Sequence, residues 1–195
     1  LDLVPATSGQ EPTFVVSAVA FSTPGRRIPD SRSVADAFLK AHPQLRPGWP
    51  SATQVQPAAQ GQTVLYQREF DLRGGKAAQV DSSGSPAGLR IDVAGGSVTG
   101  AAGPIPVALQ SSDYQSRSSQ QAAGEAVAAP PATASGPTQV PSFQLSNVSL
   151  VYMAVGGGEY GYFVPAYLFT GTTTSDGQTL EKRVVVPALD PSQLG

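Results

Sequence analysis

Residues 63–101 read TVLYQREFDLRGGKAAQVDSSGSPAGLRIDVAGGSVTGA, and this stretch decides the fold class. From Thr63 to Leu72 the side chains alternate, with Val64, Tyr66, Arg68 and Phe70 on one side and Leu65, Gln67, Glu69 and Asp71 on the other, the period of a strand. Gly74-Gly75 supplies a turn, so Ala77 to Val80 pairs back. After a loop at Asp81 to Pro86, Leu89, Ile91 and Val93 face inward while Arg90 and Asp92 face solvent. Gly95-Gly96 is a two-residue hairpin signal leading into Ser97 to Ala101. Three or four antiparallel strands result.

Upstream, Thr13 to Phe21 (TFVVSAVAF) is β-branched and aromatic, and Thr23-Pro24-Gly25 ends it with turn chemistry. A helix follows, with Ser33 as its N-cap, Asp36 as a box-like partner, and Val34, Ala37, Phe38 and Ala41 at helical spacing. Pro43 stops it. The segment Gln44 to Gln62, which holds Trp49, has neither period and reads as a packed connection. Residues 1–12 show no helical or alternating pattern.

Downstream, Ser118 and Gln121 form a Ser-x-x-Gln capping box ahead of Ala122, Ala126 and Val127. Ala129 to Pro141 is a Pro/Ala/Thr linker that cannot continue a helix. Phe143 to Val155, Tyr160 to Thr170 and Thr179 to Leu189 read as three strands joined by Gly156-Gly157-Gly158 and Ser175-Asp176-Gly177. Ser31-Arg32-Ser33 and Ser116-Arg117-Ser118 lie 85 positions apart, and each precedes a helix and then strands. The expectation is therefore an α+β chain of two similar halves, each a helix packed on a curved antiparallel β-sheet. Its divisions are a flexible segment 1–12, a first half 13–110 and a second half 111–195. In the last strands both faces are apolar, so they are buried on both sides or offer one face to a partner. Pro165 and Pro187 each remove a ladder donor, which places them at an edge or bulge.

Composition narrows the chemistry. The 195 residues carry 12 Lys and Arg against 14 Asp and Glu, a net charge of −2, with 40% apolar and 13% charged residues, which suits a globular chain. There is no Cys and one His, so disulfides, thiol catalysis, cysteine-ligated metals and His-rich metal sites are excluded. Basic residues are scattered, with no cluster beyond Arg26-Arg27, which excludes a nucleic-acid partner. No stretch approaches the roughly 20 apolar residues of a membrane-spanning helix. Low charge, scarce Lys and abundant Ser, Thr, Gln, Gly and Pro point to an exported bacterial protein, and a start at Leu1 reads as trimmed after an anchor or signal.

Each chemical candidate has a plainer structural reading. His42 ends the first helix, where an imidazole bonds the last carbonyls. Glu69 and Asp71, two apart on a strand face, have the arrangement of paired carboxylates for glycoside hydrolysis, but a solvated face beside Arg68 and Arg73 is preferred. Gly156 to Gly158 lacks the helix, Lys and Ser/Thr of a phosphate loop and reads as a turn. Asn147-Val148-Ser149 matches the glycosylation sequon within a predicted strand and is assigned no role. Aromatic residues crowd the C-terminal third, and Tyr152, Tyr160, Tyr162, Tyr167 and Phe169 are the candidate binding residues, as an anchor patch for a protein or a stacking platform for sugars. No catalytic, metal or cofactor site is assigned.

Ser111-Ser112-Asp113-Tyr114 ahead of the capped helix, the strand Val148 to Tyr152, and above all Tyr162-Phe163-Val164-Pro165-Ala166-Tyr167-Leu168-Phe169 resemble the YycH/YycI type of extracytoplasmic regulator of bacterial sensor kinases. In that family a similar run ending in Val-Pro-Ala-aromatic closes the second repeat. A more distant similarity is to PepSY-type domains. The resemblance implies a tethered, non-catalytic domain outside the membrane that acts by contact with an envelope or membrane protein, the membrane being reached only through an anchor that this sequence lacks. The expected function is thus an exported interaction or regulatory domain, not an enzyme. The alternative is a carbohydrate- or ligand-binding module that uses the C-terminal aromatics.

Overall fold

The computed structural model describes residues 2–4, 13–22, 30–46, 48–49, 51–72, 74–104, 109–128, 143–157, 160–175 and 178–190. The described residues fall into two units. The first draws on those within Leu1–Gln79, Pro86–Gln110 and Ala154–Tyr162, and the second on those within Val80–Ser85, Ser111–Met153 and Phe163–Gly195. The expected turn at Thr23 to Gly25, the Arg26-Arg27 pair, Arg73, the linker Ala129 to Pro141, Gly158 and the Asp176-Gly177 step lie outside the described residues.

The first unit is a mostly antiparallel sheet built from β1 (Asp2–Val4), β2 (Thr13–Ser22), β3 (Ser51–Ala58), β4 (Gly61–Leu72), β5 (Gly75–Val80), β6 (Gly88–Ala94) and β7 (Ser97–Pro104), with helix α1 (Ser31–Ala41) between β2 and β3. Its strands run in the order β1-β2-β7-β6-β4, and both β3 and β5 also pair with β4. The long β4 allows this, because Gly61 to Arg68 pairs with β3 and Glu69 to Leu72 pairs with β5. Gly95 and Gly96 take φ of +58° and +76°, the doubly left-handed backbone of a type I′ turn, which explains why only this dipeptide closes β6 onto β7 so tightly. Even the patternless 1–12 region contributes β1, with Leu3 opposite Phe14.

Strand β4 sits at the centre and is buried from Thr63 to Arg68 on both faces. Val64 and Tyr66 join Phe14, Leu89, Ile91, Val93, Val98 and Ala101 in one apolar cluster, which α1 completes with Val34, Ala35, Phe38 and Leu39. These four α1 residues recur at helical spacing, so a single stripe of the helix enters the core. Its N-cap is Asp30, whose carboxylate accepts from the Ser33 N–H at 3.0 Å and from the Ser33 hydroxyl at 2.7 Å. Ser33 is therefore a partner of the cap rather than the cap, and Asp36 is released for another contact. At the other end the His42 backbone N–H donates to Phe38 O at 2.9 Å. The His42 ring lies 4.7 Å from the Phe38 ring.

The second unit is organised on β8 (Gln144–Gly157) up to Met153, β9 (Tyr160–Ser175) from Phe163, and β10 (Gln178–Pro187), in that order, with helix α2 (Ser119–Ala128) against β10. The box is formed as its sequence requires, with Ser118 N–H donating to Gln121 Oε1 at 2.9 Å and Gln121 N–H to Ser118 Oγ at 3.3 Å. Pro187 is the last residue of the β9–β10 ladder, opposite Ala166, where its missing donor costs nothing. Pro165 instead accepts the Ala188 N–H at 2.8 Å.

The expectation of two similar α+β halves, each a helix on a curved antiparallel sheet, is overturned. Strands dominate the described chain, the helices have just 11 and 10 residues, and the units differ in strand number and order. The two Ser-Arg-Ser signals are not equivalent. Arg32 lies inside α1 and faces Asp36 at 3.9 Å, whereas Arg117 precedes α2 and holds the end of β10. The segment read as a connection also contains β3, because a Pro/Gln/Ala strand that gains its burial from a neighbour shows no apolar alternation of its own.

Candidate interaction surface

The five candidate aromatics occupy β8 and β9 but do not form one exposed platform. Phe169 is buried in the second unit, with Ala122, Ala126 and Val186, and Tyr167 packs on the same cluster. The two rings tilt across one another at a centroid distance of 6.4 Å. The Tyr167 hydroxyl donates to Arg117 O at 3.0 Å, so its polar end is satisfied by the residue that precedes α2. Tyr152 is half-buried, and the side chain of Tyr160 lies outside the described residues. Tyr162, with 53% of its surface accessible, is the exposed ring of the five among those described. Strand alternation explains the split, because 167 and 169 share one face of β9 and 162 lies on the other.

Sequence reading missed the open stretch of β8. Ser146, Asn147, Val148, Ser149 and Leu150 are exposed one after another, so neither face of the strand is covered there. Val148 and Leu150 remain 48% and 39% accessible, and β8 carries no charged residue and no proline from end to end. An exposed apolar run of this kind marks a face on which something packs. The signal was present in the sequence as a long, uncharged, β-prone run, but its exposure depends on neighbours that a single sequence does not place. Asn147 of the sequon is exposed within this run.

A second polar constellation surrounds β4. Arg68 is 1% accessible and its guanidinium carbon lies 3.9 Å from the centroid of the Trp49 ring, a cation–π stack that suits a weakly hydrated guanidinium in an interior. Beside it runs a relay of amides: Gln56 Nε2 donates to Gln54 Oε1 at 3.3 Å, Gln54 Nε2 to Gln67 Oε1 at 2.9 Å, and Gln67 Nε2 to Gln79 O at 2.9 Å. The relay stitches β3, β4 and β5 together. Gln67 is buried within it.

Glu69 accepts from Lys76 Nζ at 2.9 Å, and Asp71, exposed, stands opposite Lys76 in the β4–β5 register. This is a cross-strand ion pair on the β4–β5 hairpin, made by Lys76 and not by Arg68, which is buried. Asp81 folds the loop that follows β5. Its Oδ1 accepts from the N–H of Ser83 at 2.8 Å, the hydroxyl of Ser83 at 2.6 Å and the N–H of Ser85 at 2.9 Å. Burial acts to raise the Asp81 pKa, but these donors and the nearby Arg183 charge outweigh it and hold the carboxyl below its ordinary value. Among the described residues no group of three or more acidic or His side chains is placed to hold a metal ion, and no helix is long and apolar enough to cross a membrane.

No family model, no curated protein and no solved structure matches this chain.

Proposed function

We propose that the chain is an exported, non-catalytic interaction or regulatory domain that works outside the cytoplasmic membrane by contact with an envelope protein, in the manner its sequence resemblance to YycH/YycI regulators implies. The observation that carries this reading is the uncovered run Ser146 to Leu150, with apolar Val148 and Leu150 in an uncharged strand. An exposed apolar run of this kind recognises a partner by packing of its side chains. A membrane-bound sensor kinase is the partner class.

A photo-reactive residue placed at position 148 in cells of the source organism tests this. Cross-linking to an envelope sensor kinase, lost when Leu150→Asp is added and absent when the same residue is placed at exposed Val127, supports the proposal. A stably folded, exported chain that forms no such adduct overturns it.

A further inference from the structure

We propose that α2 is a releasable strap that lifts from the face of β9 and β10 carrying Tyr167 and Phe169, pivoting on the fixed residues that precede it. The pivot is well held. Ser116 forms an antiparallel bridge with Leu189, the Arg117 N–H donates to Ala188 O at 2.8 Å, and the Arg117 guanidinium gives Pro187 O two bonds, at 2.9 and 2.7 Å. Beyond Ser118 the grip weakens. The helix reaches the apolar cluster mainly through the methyl groups of Ala122, Ala126 and Ala123, the smallest side chains that can cover Phe169 and Val186.

The helix also has little stability of its own. Ten residues are fewer than an isolated helix needs. Gly124 sits mid-helix with open space where a Cβ would stand, so it contributes backbone freedom and no side chain. No acidic residue stands in the first turn and no basic residue in the last, leaving the helix dipole uncompensated, and Val127 in the last turn is 78% accessible. The pair between Glu125 and Arg117, at 2.6 Å, ties its second half to the pivot. By contrast α1 places Phe38 and Leu39 in its core and carries Lys40 in its last turn. The use of the strap rests on the interaction reading above, since it withholds two of the candidate aromatics while closed.

The chain has no cysteine, so one introduced thiol reports on one position. Val186→Cys, beneath α2, is exposed to a thiol reagent under native conditions, with Val34→Cys on the buried face of α1 as reference. The strap requires position 186 to react faster than position 34, with little change in low urea, because lifting one short helix exposes little surface. Adding Gly124→Ala slows the reaction about threefold to fivefold, and adding Glu125→Gln speeds it about twofold to fivefold. Reaction at position 186 no faster than at 34, a steep urea dependence, or indifference to Gly124→Ala overturns the proposal. No partner is present in this measurement, so its failure leaves the cross-linking result untouched, and the reverse holds too.

Discussion

The hydroxyl of Tyr66 on β4 donates to the carboxylate of Asp36 on α1 at 2.6 Å, and this bond fixes the helix over the first unit's core. Burial raises the phenol pKa, and the Asp36 carboxylate raises it further, since a charged acceptor beside the ring opposes a second negative charge. Tyr66→Phe is expected to destabilise the chain by about 1.5–3 kcal/mol, the range for bonds to charged groups. A double-mutant cycle with Asp36→Ala, read by urea unfolding, should show coupling between the two sites. The folded-state pKa lies above the unfolded one, so this contribution is complete below the ordinary phenol value near 10 and declines as pH rises beyond it. Tyr66→Phe should therefore lose less relative stability above that pH than at neutrality.

Asp81 behaves with the opposite sign. Its folded pKa is lowered, so its contribution is present above the ordinary carboxylate range near 4 and fades as pH falls through the folded value. Asp81→Asn should lower the Tm at pH 7, and the gap to the parent should close on acidification below about pH 4. A gap that stays constant over this range would remove the carboxylate's charge from the account.

Gly84 and Gly124 should respond oppositely to alanine. Gly84 has φ of +80°, and a Cβ there would come 2.6 Å from Leu168 Cδ1 and 3.2 Å from Val185 Cγ2. Gly84→Ala combines backbone strain with a clash and is expected to cost at least about 1 kcal/mol. Gly124→Ala, in open helix, should gain about 0.5–1 kcal/mol. Thermal unfolding of both variants checks the pair.

Phe38→Ala removes the largest apolar side chain that α1 buries, at 1% accessibility, and should cost about 3–5 kcal/mol by cavity formation. Val127→Ser, on the exposed end of α2, should change stability by no more than about 0.5 kcal/mol. If the two losses proved similar in urea unfolding, the assignment of the core would be wrong.

Local chemistry was legible wherever a residue's neighbours lie close in sequence. The Gly95-Gly96 hairpin, the inward Leu89, Ile91 and Val93, and the Ser118–Gln121 box depend on contacts within a few positions, and all three are present. What failed depended on distant partners. Asp30 takes the cap because the helix starts at Ser31, one turn earlier than the apolar spacing from Val34 indicates. Strand β3 borrows its order from β4, and Gln67 is buried because Gln54 and Gln79 meet it from neighbouring strands. The α+β expectation arose by giving equal weight to two Ser-Arg-Ser signals whose arginines do different things. For the candidate surface, alternation placed Tyr162 and Tyr167 on opposite faces, but nothing local reveals that α2 lies over one of them.

The stacking of Trp49 beneath the Arg68 guanidinium gives this protein a built-in optical gauge. It is the chain's sole indole, and it lies in the first unit, so its emission reports on the surroundings of Trp49 in that unit. Fluorescence and far-ultraviolet dichroism recorded on the same sample would then part company whenever the two units unfold at different temperatures.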